Sequence, residues 1–77
     1  MNRVVVLMNW ITIKLAEGLG TVKIKEESLR MITITDYGIE LIFNNGDIAN
    51  IGKSRSNNQY LVDEKEFERL TGILKLK

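Results

Sequence analysis

The chain reads as an α+β protein, mainly β: an antiparallel meander of four to six strands, curled toward a small barrel-like sheet, with one short C-terminal helix. Three observations lead to this class. From Trp10 to Phe43 apolar and polar side chains alternate, the period of strands with one wet face. Gly18-Leu19-Gly20, Asp36-Tyr37-Gly38 and Asn44-Asn45-Gly46-Asp47 interrupt that alternation with residues suited to tight turns. Only after Asp63 does the apolar spacing become helical.

In the first strand Ile11, Ile13 and Leu15 share one face, and Trp10, Thr12 and Lys14 share the other. Gly18 and Gly20 supply positive-φ positions for a turn, after which Val22 and Ile24 point inward and Lys23 and Lys25 outward. Together these segments predict a hairpin. Glu26-Glu27-Ser28 is expected to turn a sheet corner. Ile32 and Ile34 then alternate with Thr33 and Thr35, and Ile39–Phe43 forms a more apolar strand. Asn45-Gly46 suits a type I′ turn, which needs two left-handed residues, leading into a strand over Ile48–Ile51.

Tyr60-Leu61-Val62 is a last short strand or the approach to the helix. Asp63 stands at N-cap with Glu66 three residues on, a capping box, and Val62 and Phe67 occupy the staple positions. Phe67, Leu70 and Leu74 make one helical stripe. Gly72 is expected to end the helix, leaving 73–77 as a terminal strand; the alternative runs the helix to the chain end. The expected core is Ile11, Ile13, Val22, Ile24, Ile32, Ile34, Leu41, Phe43, Ile48, Phe67 and Leu70.

Seventy-seven residues make a single domain, 1–77, near the size where one core only just outweighs chain entropy. The absence of both Cys and His removes disulfides, thiolate metal sites and Ser-His or Cys-His nucleophile systems. The expectation is a protein that is not an enzyme and holds no cofactor or metal. Eleven basic against ten acidic residues give a net charge of +1, too balanced for a dedicated nucleic-acid binder. The apolar stretch at Val4–Leu7 continues only to Asn9, with no cleavage-site pattern behind it, so a cytoplasmic protein is expected. Met8-Asn9 repeats Met1-Asn2, so residues 1–7 are read either as an extension before a true start at Met8 or as a real strand over Val4–Leu7.

Residues 52–59, Gly-Lys-Ser-Arg-Ser-Asn-Asn-Gln, form the longest run without an apolar side chain and are expected to be an exposed loop. Gly52-Lys53-Ser54 is not a phosphate loop. Gly46 precedes Gly52 by six positions where the motif needs five, and no helical pattern follows until Asp63. The partner-binding candidates are Lys53, Ser54, Arg55, Asn57, Asn58 and Tyr60, which offer charge and amide hydrogen bonds beside one aromatic ring. Trp10 is a candidate stacking residue beside Lys14, Lys23 and Lys25. Asp63, Glu64, Glu66 and Glu68 lack the alternation and sharp turn of a calcium loop and fit the positive end of a helix.

The Ile-, Asn- and Lys-rich style of stretches such as Ile39–Gly46 resembles small accessory proteins of low-GC bacteria and their phages, a class that includes inhibitors of host defence systems. The resemblance implies a non-enzymatic plug, nucleic-acid mimic or ligand sponge. Charge mimicry of DNA needs a strongly acidic chain, which this is not. The expected function is therefore a protein-binding module that inhibits a host protein. The alternatives are a binder of nucleic acid or a small nucleotide through the basic loop, and a structural oligomer-forming subunit. A homodimer and no membrane contact are expected.

Overall fold

The computed structural model describes residues 10–54 and 59–75. Strand β1 (Trp10–Lys14) and strand β2 (Thr21–Lys25) form an antiparallel hairpin, with Ile11 opposite Ile24 and Ile13 opposite Val22 on the core side. Its loop closes through the Leu15 N–H, which donates to the Gly20 carbonyl at 2.8 Å. Within that loop Glu17 holds φ at 60°, a conformation that costs an L side chain energy. Glu26–Ser28 make one 3-10 turn, where the Ser28 hydroxyl donates to the Lys25 carbonyl at 2.6 Å. This is the expected corner, and it carries the chain into a second sheet.

That sheet has the order β3 (Leu29–Ile34), β4 (Gly38–Phe43), β5 (Ile48–Gly52), β6 (Tyr60–Leu61). The fold is thus sheet-dominated α+β with one C-terminal helix, as the alternation predicts. Two details differ. The described strands form two separate sheets and no closed barrel, and β6 runs parallel to β5. The parallel pair is short: Ile51 lies beside Tyr60 and Gly52 beside Leu61, so the connecting loop has to return the chain by only one strand end.

The Asn-Gly turn also corrects the expectation. Among the described non-glycine residues only Glu17 has positive φ, so Asn45 is not left-handed and the turn is not type I′. Instead Gly46 alone takes φ 95°, its N–H donates to the Phe43 carbonyl at 2.9 Å, and the Phe43 N–H donates to the Asp47 carbonyl at 2.8 Å. A three-residue loop of this kind is the next most common hairpin connection. It sets β5 so that Ala49 lies opposite Leu41 and Ile51 opposite Ile39, both pairs buried. Ile48, expected in the core, faces outward and is 48% exposed. It shares its face with Asn50, because side chains two apart must point the same way.

Helix α1 (Glu64–Leu74) starts at the expected N-cap, where Asp63 Oδ1 accepts from the Glu66 N–H at 2.8 Å and Val62 and Phe67 are both buried. The Glu66 carboxylate, however, turns to Lys14 and Arg69 and does not close the capping box. The helix does not stop at Gly72. Leu74 continues the stripe of Phe67 and Leu70 and is buried with them, which offsets the roughly 1 kcal/mol that a helical Gly costs. The terminal strand expected over 73–77 is therefore replaced by helix at Ile73 and Leu74, and 76–77 lie outside the described residues. The most deeply buried side chains are Ile13, Ile39, Leu41, Ile51, Val62 and Leu70, drawn from both sheets and the helix.

The carboxylate of Glu66 joins these layers. Glu66 Oε2 accepts from the Lys14 backbone N–H at 2.8 Å, and Arg69 donates to the Glu66 carboxylate and, at 2.6 Å, to the Thr12 carbonyl. Since the Leu15 N–H faces β2, the antiparallel alternation turns Lys14 and Thr12 toward the opposite edge of β1. Two helix side chains thus take the place of a neighbouring strand there. Arg69 holds the Glu66 carboxyl below its ordinary range, opposed by burial and assisted by the Lys14 N–H.

Candidate partner-binding surfaces

The structure separates the predicted contact residues. Lys53 is committed to the helix: its Nζ lies 5.0 Å from the Phe67 ring centroid and 3.8 Å from Glu64 Oε2. Ser54 is exposed beside it, whereas Arg55, Asn57 and Asn58 lie outside the described residues. Tyr60 sits in β6, half-buried against the core. Gln59 extends that short strand with its side chain, whose Oε1 accepts from the Asn50 N–H at 3.3 Å. Trp10 is 54% exposed on the hairpin's outer face, with the Lys25 ammonium 5.8 Å from its ring centroid. The register puts Lys25 opposite Trp10, Lys23 opposite Thr12 and Thr21 opposite Lys14, so three lysines and one indole share that face.

A second surface was not expected. On the outer face of the four-stranded sheet, Met31 lies opposite Ile42 and Ile42 opposite Ile48. Directly opposed side chains are cross-strand neighbours, so the three form one apolar row over β3, β4 and β5. Met31 is 52% exposed, in line with Ile48. Next to the row Thr33, Glu40 and Asn50 form a polar half of the same face, lining a cleft of about 360 Å³. Tyr37, 89% exposed, stands at its rim. The turn presenting Tyr37 is held by Thr35 Oγ1, which accepts from the N–H groups of Tyr37 and Gly38 at 3.2 and 3.1 Å. An apolar centre with a polar, hydrogen-bonding margin is the composition of a protein contact surface.

The signal for this face was present in the sequence. Ile42 shares strand parity with Glu40, and Ile48 with Asn50, so each apolar residue alternates onto a polar face. Placing Ile48 in the core hides it.

Among the described residues no three Asp or Glu side chains come together as a metal-ion site. No described helix is long and apolar enough to cross a membrane. No protein-family model, curated protein or solved structure matches the chain.

Proposed function

We propose that this chain is a non-enzymatic protein-binding module acting in the cytoplasm, and that its contact surface is the outer face of the four-stranded sheet. The observation that supports this most is the registered row Met31–Ile42–Ile48, with Met31 and Ile48 exposed, on the same face as the polar row that leads to Tyr37. Single exposed apolar residues need no explanation, but a contiguous row across three strands marks an interaction site. The occupant is a different protein, whose binding to this face blocks its own activity. That mode suits the inhibitors among the accessory proteins the chain resembles. A face built on a paired sheet also loses less entropy on docking than a loop would.

The test is a photo-crosslinking amino acid at position 48 in cells that carry the gene, followed by reconstitution with the purified captured protein. Ile48→Lys should weaken the reconstituted complex about tenfold or more, as expected of a central contact, and Tyr37→Ala should weaken it less, as expected at the rim. Both residues are exposed, so the fold tolerates the changes. Unchanged affinity in both variants, or sedimentation showing that the captured species is a second copy of this chain, overturns the proposal.

The hairpin face favours a second reading. Trp10 with Lys14, Lys23 and Lys25 gives a stacking ring among three cations, the chemistry of a single-strand nucleic-acid contact. Phosphate binding weakens steeply as salt rises, whereas a packed apolar interface changes little. A complex lost at high salt and abolished by Trp10→Ala would therefore select this reading.

A further inference from the structure

Among the described strands β3 is an outer one of its sheet, and residues of β3 and α1 line common pockets beside it. The Thr35 N–H donates to the Gly38 carbonyl at 2.9 Å, which fixes the phase of the β3–β4 ladder. Thr33 and Met31 turn their backbone groups to β4, so Ile32 and Ile34 turn theirs away from it. Among the described residues nothing hydrogen-bonds to those outward N–H and C=O groups. Along this edge runs a groove with an apolar floor. Its first part, about 320 Å³, has Leu29, Met31, Ile32, Ile34 and Leu74 in its lining, with Glu26 and Arg30 at the margin. Its second part, about 440 Å³, shares Ile34 and continues between Asp36 and the helix residues Phe67, Glu68, Thr71 and Gly72.

We propose that this groove receives an extended peptide segment of a partner protein as an added strand on β3. An open edge beside a helix is the setting in which peptides join a sheet, main-chain bonds giving affinity and alternate side chains giving specificity. Ile32 and Ile34 supply the backbone bonds, and every second residue of the peptide enters the apolar floor. The antiparallel sense is favoured because that pairing is the more stable per residue.

Charge sets the polarity of the segment. Asp36, Glu68 and Lys75 line the far part of the groove beside the Lys53–Glu64 pair, and Asp36 and Glu68 are exposed with no ion pair among the described residues. A Lys or Arg near the N-terminal end of an antiparallel segment falls between them. There too Thr71 Oγ1 is buried and has no hydrogen-bond partner among the described residues. The partner chemistry is thus a basic residue followed by alternating branched apolar residues.

This surface meets the outer sheet face at Met31, which lines both, and the test keeps the two apart through residues that belong to only one of them. Amide hydrogen exchange on the full chain comes first: the Ile32 and Ile34 amides should exchange freely. Protection in the free protein would mean that the chain itself or a second copy already covers the edge, which overturns the proposal. A library of extended six-residue peptides displayed against the full chain should then enrich alternating apolar sequences with Lys or Arg at the N-terminal side. A labelled peptide from that set should slow exchange at Ile32 and Ile34. The Asp36→Lys and Glu68→Lys pair should weaken it at least tenfold and favour a peptide with Glu at the same place. Enrichment of helical spacing, no enrichment, or indifference to the charge reversal overturns the inference. Ile48→Lys should leave peptide binding unchanged, so failure here and failure of the outer-face reading give different results.

Discussion

The Lys53 ammonium lies over the Phe67 ring, 5.0 Å from its centroid, with the Glu64 carboxylate 3.8 Å away. The residue that gives the polar loop its first positive charge therefore belongs to the start of the helix. Lys53→Met, which keeps the stem but removes the charge, should lower stability by about 0.5 kcal/mol, the lower end for exposed cation–π contacts. In a domain of this size that is roughly 2–4 °C in melting temperature, readable by calorimetry. The difference should shrink in high salt, because the pair is solvent-exposed.

The bond between Glu66 and the Lys14 backbone predicts a larger effect. Glu66→Ala leaves the Lys14 N–H without a partner and Arg69 without its carboxylate. Urea unfolding should show a loss of about 2 kcal/mol, in the range for hydrogen bonds to charged groups. Arg69→Ala should cost less, since its side chain is half exposed. The double variant should lose less than the sum of the two, the sign of direct coupling.

Acid should weaken this clasp. The Glu66 carboxyl is held below its ordinary value of 4.5, chiefly by the Arg69 hydrogen bond. A depressed folded pKa means that the unfolded chain takes up the proton first as pH falls. The contribution is complete above the unfolded value and is lost as pH drops through the folded one. The melting-temperature gap between the native protein and Glu66→Gln should thus be constant at neutral pH and close progressively below about pH 4.5.

Two glycines should respond with opposite signs. A Cβ on Gly38 would meet the Ile51 carbonyl oxygen at 3.0 Å, a backbone atom inside the sheet that cannot move aside cheaply. Gly38→Ala should destabilise by about 1–2 kcal/mol, as overpacked sites do. Nothing lies within 4 Å of a Cβ on Gly72, which is helical and exposed. Gly72→Ala should stabilise by about 0.5–1 kcal/mol. Thermal melts of the two variants check both.

Period and punctuation made most of the fold legible. The hairpin from Trp10 to Lys25, the corner at Glu26–Ser28 and the Asp63 cap all fall where local chemistry places them. What escaped was non-local. Ile48 and Ile51 stand three apart, so one of them had to face solvent. Asn50 favoured Ile51 for the core, but the loop with Gly46 as its single left-handed residue settled it. Gly72 looked like a stop because its cost is local, whereas the burial of Leu74 depends on a sheet far away in sequence. Glu66 was read as a cap residue alone, because its partners at Lys14 and Thr12–Arg69 become visible only when β1 and α1 pack together. The attachment of Lys53 to Phe67 is likewise non-local and does not show in the sequence. The Met31–Ile42–Ile48 row needed strand register, which single-strand alternation does not contain.

The clasp between α1 and β1 joins residues 52 and 57 positions apart. On a ribosome, which releases the chain from its N-terminus onward, the hairpin emerges long before the helix that covers its edge. Until Arg69 has cleared the exit, Thr12 and Lys14 offer unpaired backbone groups to whatever strand is nearby. This clasp is therefore completed only after α1 has emerged, and a chain terminated before the helix keeps the hairpin edge open to intermolecular pairing.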